Sequence, residues 1–596
     1  MHNTIHGLPE KRSSVWVNFN LKNFLFMKKK LLIFGVFFIF GYIPGVQAQN
    51  VNEKQMDQLL SQLTLEEKAS LCSGRDDWST QPIERLNIPW IWVSDGPHGL
   101  RRAPKTNMPG YGDQLPATCF PTASALAATW DTELIYKVGQ ALGQECQALD
   151  VNVLLGPGVN IKRSVLGGRN FEYFSEDPVL SGEMGAAFIN GVQSQGVGTS
   201  LKHYVANNVE TMRMWMNSDV DMRTLHEIYL TPFEIAIKKA QPWTVMACYN
   251  RVQGTYGTQS PYLLTDILKK DWGFDGIVIS DWFAVVDRVE GVKSGMHIEM
   301  PGVSTVNDSL IVEAVKNGNL DEAVLDSLVR DILSIVLKAK ALEKDGVDQN
   351  TEAHHKFARQ VAAESATLLK NENDILPLSG EKYKTIAIIG EFAENPRYQG
   401  NGSSEVKPTQ LDAILTLIEQ EYGKDYKIEY ARGYNLNDDD DFSMIDDAVK
   451  TTEKADIALV FAGLPLHYES EGIDRTHIDL PPSHNRLISE ITETQPNTTV
   501  VLTNGSAVAM PWADEVPAIL ETWLGGQAGA GGTLDVLFGK VNPSGKLAET
   551  FPVKLEDTPA FFNFPGEQGQ VLYGERFLVG YRHYDKRKIE PLFPFG

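Results

Sequence analysis

The chain has 596 residues, of which 42% are hydrophobic and 22% are charged, a composition typical of a globular protein with two or three domains. Its 77 acidic and 54 basic residues give a formal net charge of −23, which would repel phosphate backbones and anionic lipid. The composition therefore excludes nucleic acid as an expected partner and favours a small neutral ligand.

Residues 1–48 have the features of an upstream extension followed by a secretory signal peptide. The basic residues 28–30 precede an apolar run over residues 31–46, and residues 46–48 form a small-x-small cleavage pattern. Because this run is shorter than the ~20 apolar residues of a membrane span, a cleaved signal is favoured over an anchor. We expect a periplasmic or secreted protein without membrane contact after cleavage.

Residues 49–342 alternate short apolar strands with helices. The opening predicts two short helices, with Thr64 as a cap between them. Strands are predicted at Val151–Leu155, Thr199–Leu201, Thr244–Cys248 and Gly276–Ser280, and helices at Thr132–Leu149, Leu225–Lys239 and Leu320–Leu342. This alternation predicts a parallel α/β fold, and the length suits a TIM-type (β/α) barrel.

A second α/β region follows a linker. Residues 343–372 are polar and then helical, which predicts a connecting helix, and residues 373–556 resume the alternation of strands and helices. We expect an α/β sandwich domain there, with strands such as Ile457–Ala462 covered by helices. Residues 557–596 are rich in Pro, Gly and aromatic residues and form a tail.

Polar side chains follow several predicted strands of the first region. They are Asp95, Lys202, His203, Tyr249 and Asp281. In a parallel barrel the carboxyl ends of the strands hold the catalytic residues, so these side chains are expected to converge on one pocket for a small polar molecule. Each residue alone also fits a structural role, such as a helix cap, a buried ion pair or a buried histidine.

Cysteine usage and the charged loop after Ile457–Ala462 are less informative. The cysteines Cys72, Cys119, Cys146 and Cys248 show no CxxC spacing, so we expect buried apolar residues, no metal and no cofactor. The loop carries Glu469 and Glu471, and its composition fits a catalytic acid and a solvated loop equally well.

Five segments occur in a recognisable order. They are Asp95-Gly-Pro-His-Gly-Leu-Arg101, Gly168-Arg-Asn-Phe-Glu-Tyr-Phe-Ser-Glu-Asp-Pro178, Lys202-His-Tyr204, Ile279-Ser-Asp-Trp282 and Glu471-Gly-Ile-Asp-Arg475. With them the sequence resembles glycoside hydrolase family 3, the β-glucosidase type. The resemblance implies a barrel-like first domain, an α/β sandwich second domain and a site between them. Because many members continue into a fibronectin type III-like module, it also implies that this module is truncated or missing here.

The resemblance assigns roles to individual residues. It implies that Asp281 is the nucleophile and Glu471 the acid/base, with Glu469 as the reserve candidate for the acid. The sugar pocket would be lined by Asp95, Arg101, Arg169, Lys202, His203, Arg213, Tyr249, Trp282 and Ser403 or Ser404. We expect Asp281, beside Lys202 and Arg169, to stay ionised, and the pKa of Glu471 to be raised.

The implied activity is retaining hydrolysis of terminal non-reducing β-D-glucosyl residues from β-glucosides or oligosaccharides. Two alternatives stay open: a β-xylosidase or α-L-arabinosidase of the same family, and a non-catalytic sugar-binding protein on the same fold. His297 departs from the family pattern, in which an acid is usual, and this puts the surroundings of Asp281 in question.

Overall fold

The computed structural model describes residues 53–104, 113–302, 305–437 and 439–596. The predicted signal peptide lies outside the described residues. The strands are β1 (Val93–Asp95), β2 (Val153–Leu155), β3 (Gly198–Tyr204), β4 (Asn217–Asp219), β5 (Thr244–Ala247), β6 (Arg251–Val252), β7 (Thr255–Tyr256), β8 (Ile277–Ser280), β9 (Thr367–Asn371), β10 (Thr385–Ile389), β11 (Lys427–Ala431), β12 (Ile457–Gly463), β13 (Thr498–Thr503), β14 (Ala518–Glu521) and β15 (Gln570–Leu572).

The described residues also form α-helices and two π-helical segments, besides short 3-10 helices. The α-helices are α1 (Glu53–Gln62), α2 (Leu65–Leu71), α3 (Ala123–Ala128), α4 (Thr132–Ala148), α5 (Pro178–Gln193), α6 (Met222–Thr224), α7 (Thr231–Ala240), α8 (Arg288–Ser294), α9 (Val306–Lys316), α10 (Glu322–Ala341), α11 (Thr351–Ser365), α12 (Ile414–Tyr422), α13 (Ile445–Thr452), α14 (Pro482–Thr494), α15 (Gly529–Leu537) and α16 (Tyr581–Arg587). The π-helical segments are Leu225–Leu230 and Tyr262–Asp271.

The first domain is built on a parallel sheet with the strand order β1-β2-β3-β5-β8. All five strands are buried. This explains their continuous apolar sequences, because parallel strands covered on both faces need no polar alternation. The predicted strands are confirmed with ends shifted by a few residues. The carboxyl ends of β1, β3, β5 and β8 bring Asp95, Lys202, Tyr249 and Asp281 to one edge of the sheet.

The second domain contains a six-stranded sheet with the order β11-β10-β12-β13-β14-β9. Its first five strands are parallel, and β9 is antiparallel at the edge. The strand order reverses between β10 and β12, and in such sheets ligands bind in the crevice outside the carboxyl ends at this point. The loop after β10, residues 390–413, carries Ser403, and the loop after β12, residues 464–481, carries Glu471.

Local capping explains where several helices begin. Thr64 caps α2 as predicted and forms a capping box with Glu67, in which each side chain accepts a hydrogen bond from the backbone N–H of the other. Asp131 caps α4, and Asp177 caps α5 ahead of Pro178, which needs no N–H at the first helical position.

The linker and the tail contribute more structure than their composition predicted. Strand β9 in the linker pairs with β14 of the second sheet. In the tail, β15 pairs with β4 of the first domain, and Glu575 forms a buried ion pair of 2.5 Å with Arg163. The tail therefore packs back onto the first domain. The domain boundaries stay predictions.

The four cysteines are buried and form no disulfide. Within the described ranges, no helix is long and apolar enough to cross a bilayer. No group of three or more His, Cys, Asp or Glu side chains in the described part of the chain is arranged to hold a metal ion.

Candidate active site

Asp281 lies directly after β8 and is 7% exposed. Its Oδ1 atom accepts a hydrogen bond of 2.8 Å from the N–H of Trp282. Its Oδ2 atom lies 3.7 Å from Nε2 of His203 and accepts no hydrogen bond from the described residues. One oxygen is thus fixed by the backbone, and the other is left available, as a nucleophilic carboxylate requires.

Glu471 comes from the second domain and is held by both domains. Its Oε2 atom accepts a 2.7 Å hydrogen bond from the N–H of Ser403, in the neighbouring loop. Its Oε1 atom lies 2.7 Å from Nη1 of Arg213 and 3.6 Å from Nη1 of Arg169, both in the first domain. Its own N–H donates to the carbonyl of Asn401. The side chain is therefore fixed at the junction of the two domains.

The charge state of Glu471 differs from the sequence-based expectation. Burial acts to raise its pKa, but Arg169, Arg213 and the hydrogen bonds of Ser403 outweigh burial and hold the pKa well below its usual range. The expected upward shift was wrong because two guanidinium groups lie against this carboxylate. In the free protein Glu471 is therefore ionised, and it must gain a proton before it can act as an acid.

The surroundings of Asp281 also differ from the expectation. Lys202 was expected to stabilise its charge, and the charge of Asp281 does act to raise the pKa of Lys202, but the ion pairs of Lys202 Nζ are with Oε1 of Glu172 at 3.1 Å and Oδ1 of Asp95 at 3.6 Å. Burial is the largest influence on Asp281 and raises its pKa, against the opposing effect of Arg213 and then Arg169.

Glu172 forms ion pairs with two cations of the pocket, Arg169 and Lys202. Its Oε2 atom lies 2.7 Å from Nη2 of Arg169, and the side chains of Glu172, Arg169 and Lys202 are almost fully buried. Despite burial, these two cations lower the pKa of Glu172, so it remains charged. The cations near Asp95 offset its burial less fully, so that burial raises the pKa of Asp95 to about 6. Sequence reasoning missed Glu172, although its i,i+3 spacing from Arg169 was a usable signal.

The remaining predicted pocket residues lie around these groups. Nη1 of Arg101 donates to the carbonyl of Ser403 at 3.4 Å. Nδ1 of His203 lies 3.2 Å from the Tyr173 hydroxyl, and burial holds the pKa of His203 well below its usual range, so its imidazole is neutral. The guanidinium of Arg213 lies over the ring of Tyr249, 4.5 Å from its centre.

Trp282 is fixed at the edge of the site. Its Nε1–H donates to the carbonyl of Asp77 at 3.0 Å, and its ring lies 5.5 Å from that of Trp78. The indole is therefore held in one orientation beside Asp281, to which its backbone N–H also donates.

Three further side chains that the sequence analysis named are buried. Glu469 is 1% exposed, and both its oxygens accept from the N–H of Gly505, so the geometry does not favour it as the acid. Ser404 is buried, and Ser403 makes its contact through the backbone. His297 is buried against β8, where Nδ1 accepts from the N–H of Val278.

The loop that carries Glu471 is fastened to the first domain by groups that sequence reasoning missed. The carboxylate of Asp474 accepts hydrogen bonds from the N–H groups of Gly168, Glu210 and Thr211 and from the Thr211 hydroxyl, at 2.7 to 3.2 Å. The Oε2 atom of Glu210 accepts from the N–H of Gly472 at 2.9 Å. We call these contacts of Asp474 and Glu210 the interdomain clasp.

Together these residues form a pocket that joins two carboxyl groups to a dense set of charged donors and acceptors. The charge of Glu471 acts to raise the pKa of Asp281, and Arg169 and Arg213 act to lower the pKa of both carboxyl groups. Such an arrangement can bind several hydroxyl groups of a polar ring and supply a nucleophile and a proton carrier to it.

Comparison with known proteins matches both halves of the chain. The model described as "Glycosyl hydrolase family 3 N terminal domain" matches residues 46–335, and the one described as "Glycosyl hydrolase family 3 C-terminal domain" matches residues 366–581. The chain is 54% identical over 541 residues to thermostable beta-glucosidase B of Acetivibrio thermocellus, covering 90% of this chain and 71% of that protein. It is 45% identical over 546 residues to exo-alpha-(1->6)-L-arabinopyranosidase of Bifidobacterium longum, covering 90% and 72%.

Solved structures give the same result. The GH3 beta-glucosidase of Bifidobacterium adolescentis matches with a TM-score of 0.85 and 45% identity, over 90% of this chain and 77% of that one. Beta-glucosidase 3B of Thermotoga neapolitana, solved in complex with glucose, matches with a TM-score of 0.82 and 36% identity, over 91% and 82%.

Proposed function

Because the chain belongs to glycoside hydrolase family 3, we propose that it is a retaining β-glucosidase that releases terminal non-reducing β-D-glucosyl residues from β-glucosides or oligosaccharides. The observation that carries this proposal is the convergence of Asp281 and Glu471, from different domains, on one buried, charge-lined pocket. The glucose complex of the Thermotoga relative and the beta-glucosidase names of the Acetivibrio thermocellus and Bifidobacterium adolescentis relatives support the choice of sugar.

The proposed reaction uses the two carboxyl groups in turn. An Asp281 oxygen attacks the anomeric carbon while protonated Glu471 gives its proton to the departing oxygen, so that the C1–O bond breaks and a glycosyl ester forms. Ionised Glu471 then takes a proton from water, whose oxygen attacks C1 and displaces Asp281. Two inversions at C1 give net retention of configuration.

The other pocket residues are proposed to hold the sugar ring. Asp95 and Glu172 offer acceptors to the hydroxyl groups, and Lys202, Arg169 and neutral His203 offer donors. Because these side chains are buried and already held by one another, they bind the ring without a large loss of side-chain entropy. We propose that Arg101, Tyr249, Trp282 and Ser403 complete this pocket.

An α-L-arabinopyranosidase activity is the second candidate, favoured by the 45% identity to the Bifidobacterium longum enzyme. An α-L-arabinopyranoside lacks the C6 hydroxymethyl group of glucose and has the opposite configuration at C4. The same catalytic pair could act on both sugars, because the reacting bond is placed alike. A β-xylosidase is a further option on the same reasoning.

The test is hydrolysis of a panel of nitrophenyl glycosides by the purified wild-type chain and Asp281→Ala. The panel contains the β-D-glucoside, β-D-xyloside, α-L-arabinopyranoside and α-L-arabinofuranoside. We expect the wild type to prefer the β-D-glucoside and Asp281→Ala to be inactive. Azide should restore turnover of Asp281→Ala and yield the α-configured glycosyl azide, because an external anion then replaces the nucleophile.

Two outcomes would contradict the proposal. A preference for the arabinopyranoside would promote the second candidate. A folded wild-type chain that is inert on the whole panel but binds glucose would support the sugar-binding protein instead.

We further propose that the first sheet closes into a barrel. This is supported by parallel bridges from Ile279 to Ile298 and from Glu299 to Ser73, and by the antiparallel bridge from Ser79 to Trp92, which lead from β8 back towards β1. Export to the periplasm or medium stays a prediction from the sequence.

A further inference from the structure

One nitrogen of Arg213 is shared by two carboxylates. Its Nη1 atom lies 2.7 Å from Oε1 of Glu471 and 2.8 Å from Oε2 of Glu210. The Glu210 side chain is 3% exposed, and its Oε2 atom also accepts from the N–H of Gly472, directly after Glu471 in the chain. Glu210 is therefore fixed both to the arginine and to the loop of the proposed acid/base.

This arrangement bears on how Glu471 can hold a proton. A protonated Glu471 no longer neutralises Arg213, and an unpaired cation in a largely buried site is costly. Glu210 removes this cost, because it already lies within ion-pair distance of the same nitrogen. Arg169 is less dependent on Glu471, since Glu172 lies 2.7 Å from its Nη2 atom while Glu471 is 3.6 Å from its Nη1 atom.

We propose that Glu210 is a positioning residue for the acid/base: it keeps Arg213 paired while Glu471 carries a proton, and it shares Arg213 with Glu471 when Glu471 is ionised. This inference rests on the proposed function and adds a third carboxyl group to the two that react.

The proposed exchange follows the proton through the reaction. Before the first step, Glu471 is protonated and Arg213 pairs with Glu210. The proton passes to the leaving oxygen as the C1–O bond breaks and Asp281 bonds to C1, and Arg213 is then shared by Glu210 and ionised Glu471. In the second step water gives its proton to Glu471 as the water oxygen bonds to C1 and the bond to Asp281 breaks, and Arg213 again pairs with Glu210.

Other groups around Glu471 were considered as alternatives. Some charged or titratable groups act on the pKa of Glu471, and Glu471 acts on the pKa of others. They are Arg169, Arg213, Asp95, Glu172, Glu210, Asp281 and Tyr249. Among them, Glu210 combines an ion pair to Arg213 with a hydrogen bond to the Glu471 loop. Burial and the charge of Glu471 act to raise the pKa of Glu210, consistent with two carboxyl groups that compete for one arginine.

The test is Glu210→Gln, which keeps the size and the acceptor for the Gly472 N–H but removes the charge. Arg213 then has no alternative anion and stays on Glu471. We expect the alkaline limb of kcat, which reports the pKa of Glu471 in the substrate complex, to move to lower pH by roughly one unit, a tenfold change in the proton affinity of Glu471. We also expect roughly tenfold or greater loss on alkyl β-glucosides, which need acid assistance, and a smaller loss on dinitrophenyl β-glucoside.

Two further variants separate charge from structure. Glu210→Asp keeps the charge and should restore most of the alkaline limb. Glu227→Gln makes the same chemical change at an exposed ion pair with Arg223 and should match the wild type. Folding of each variant is checked by circular dichroism.

Equal losses on both leaving groups with an unchanged alkaline limb would overturn the proposal and leave Glu210 a structural residue. Difference infrared titration of the glucose-bound protein against Glu471→Gln reads the pKa of Glu471 without turnover, and that pKa should be lower in Glu210→Gln than in the wild type. An inactive wild type with this shift would refute the proposed function alone, whereas an active wild type without the shift would refute the role of Glu210 alone.

Discussion

Asp474 offers the most direct way to test whether docking of the Glu471 loop limits catalysis. Asp474→Ala removes a carboxylate that accepts hydrogen bonds from four donor groups. Two N–H groups and a hydroxyl donate at 3.0 Å or less, and the N–H of Gly168 donates at 3.2 Å. A hydrogen bond to a charged group contributes ~1.5–3 kcal/mol, and water replaces part of this at a half-exposed site. We therefore expect these contacts together to stabilise the docked loop by ~2–3 kcal/mol.

That value corresponds to a change of roughly 30- to 150-fold in the docking equilibrium, since ~1.4 kcal/mol is tenfold. If docking is required to place Glu471, kcat/KM on an alkyl β-glucoside should fall by up to this factor. The loss on dinitrophenyl β-glucoside should be smaller, because Asp281 is unaffected. Asp474→Asn keeps one acceptor oxygen and should lose roughly fivefold, equivalent to ~1 kcal/mol.

The assay is steady-state hydrolysis of both substrates at constant pH, together with hydrogen exchange of residues 464–481. We expect faster exchange in this loop in Asp474→Ala, and unchanged exchange in β8. If Asp474→Ala retains wild-type kcat/KM within threefold on the alkyl glucoside while exchange in the loop accelerates, docking does not limit catalysis and the reasoning fails.

Three further predictions concern charge and packing. Lys162→Met should destabilise the protein by ~3–5 kcal/mol, because it leaves the Glu549 carboxylate buried without the cation now 2.7 Å away, and Lys162→Met with Glu549→Leu should recover most of the loss in denaturant titration. On the acid side, kcat/KM should fall with a pKa of about 6, because Asp95 is ionised above this pH and protonated below it. Asp95→Asn should abolish this acid limb and lower activity by roughly 10- to 100-fold. Trp282→Ala should raise KM roughly fivefold, since it removes the ring that Trp78 and the Asp77 carbonyl hold in place, a contribution of ~1 kcal/mol, and an unchanged KM would show that the indole does not touch the sugar.

The strands and their polar ends could be predicted because they depend on local sequence. Strand β12 is a continuous buried apolar run, and its predicted and observed bounds differ by one residue. The residues that follow β1, β3, β5 and β8 could be expected to meet, since parallel strands share one edge. The strand β15 was missed because its partner, β4, lies hundreds of residues earlier and both are only three residues long.

The electrostatics of the site could not be predicted in the same way. A sequence does not show which carboxylate a guanidinium contacts. A shift of a few ångströms decides whether the guanidinium pairs with Asp281 or with Glu471. Arg213 lies on Glu471 because the interdomain clasp brings their loops together. Glu210 and Asp474 were overlooked for the same reason, since each acquires its role only when the two domains meet.

Because the site is formed by two domains, the two parts of the chain are expected to have different roles in it. The residues proposed to hold the sugar ring come almost entirely from the first domain, whereas Glu471, the proposed proton donor to the departing alcohol, comes from the loop after β12. Sugar preference and tolerance of the departing alcohol should therefore vary independently among relatives. A chimera that exchanges the second domain should inherit its aglycone range from one parent and its choice of sugar from the other.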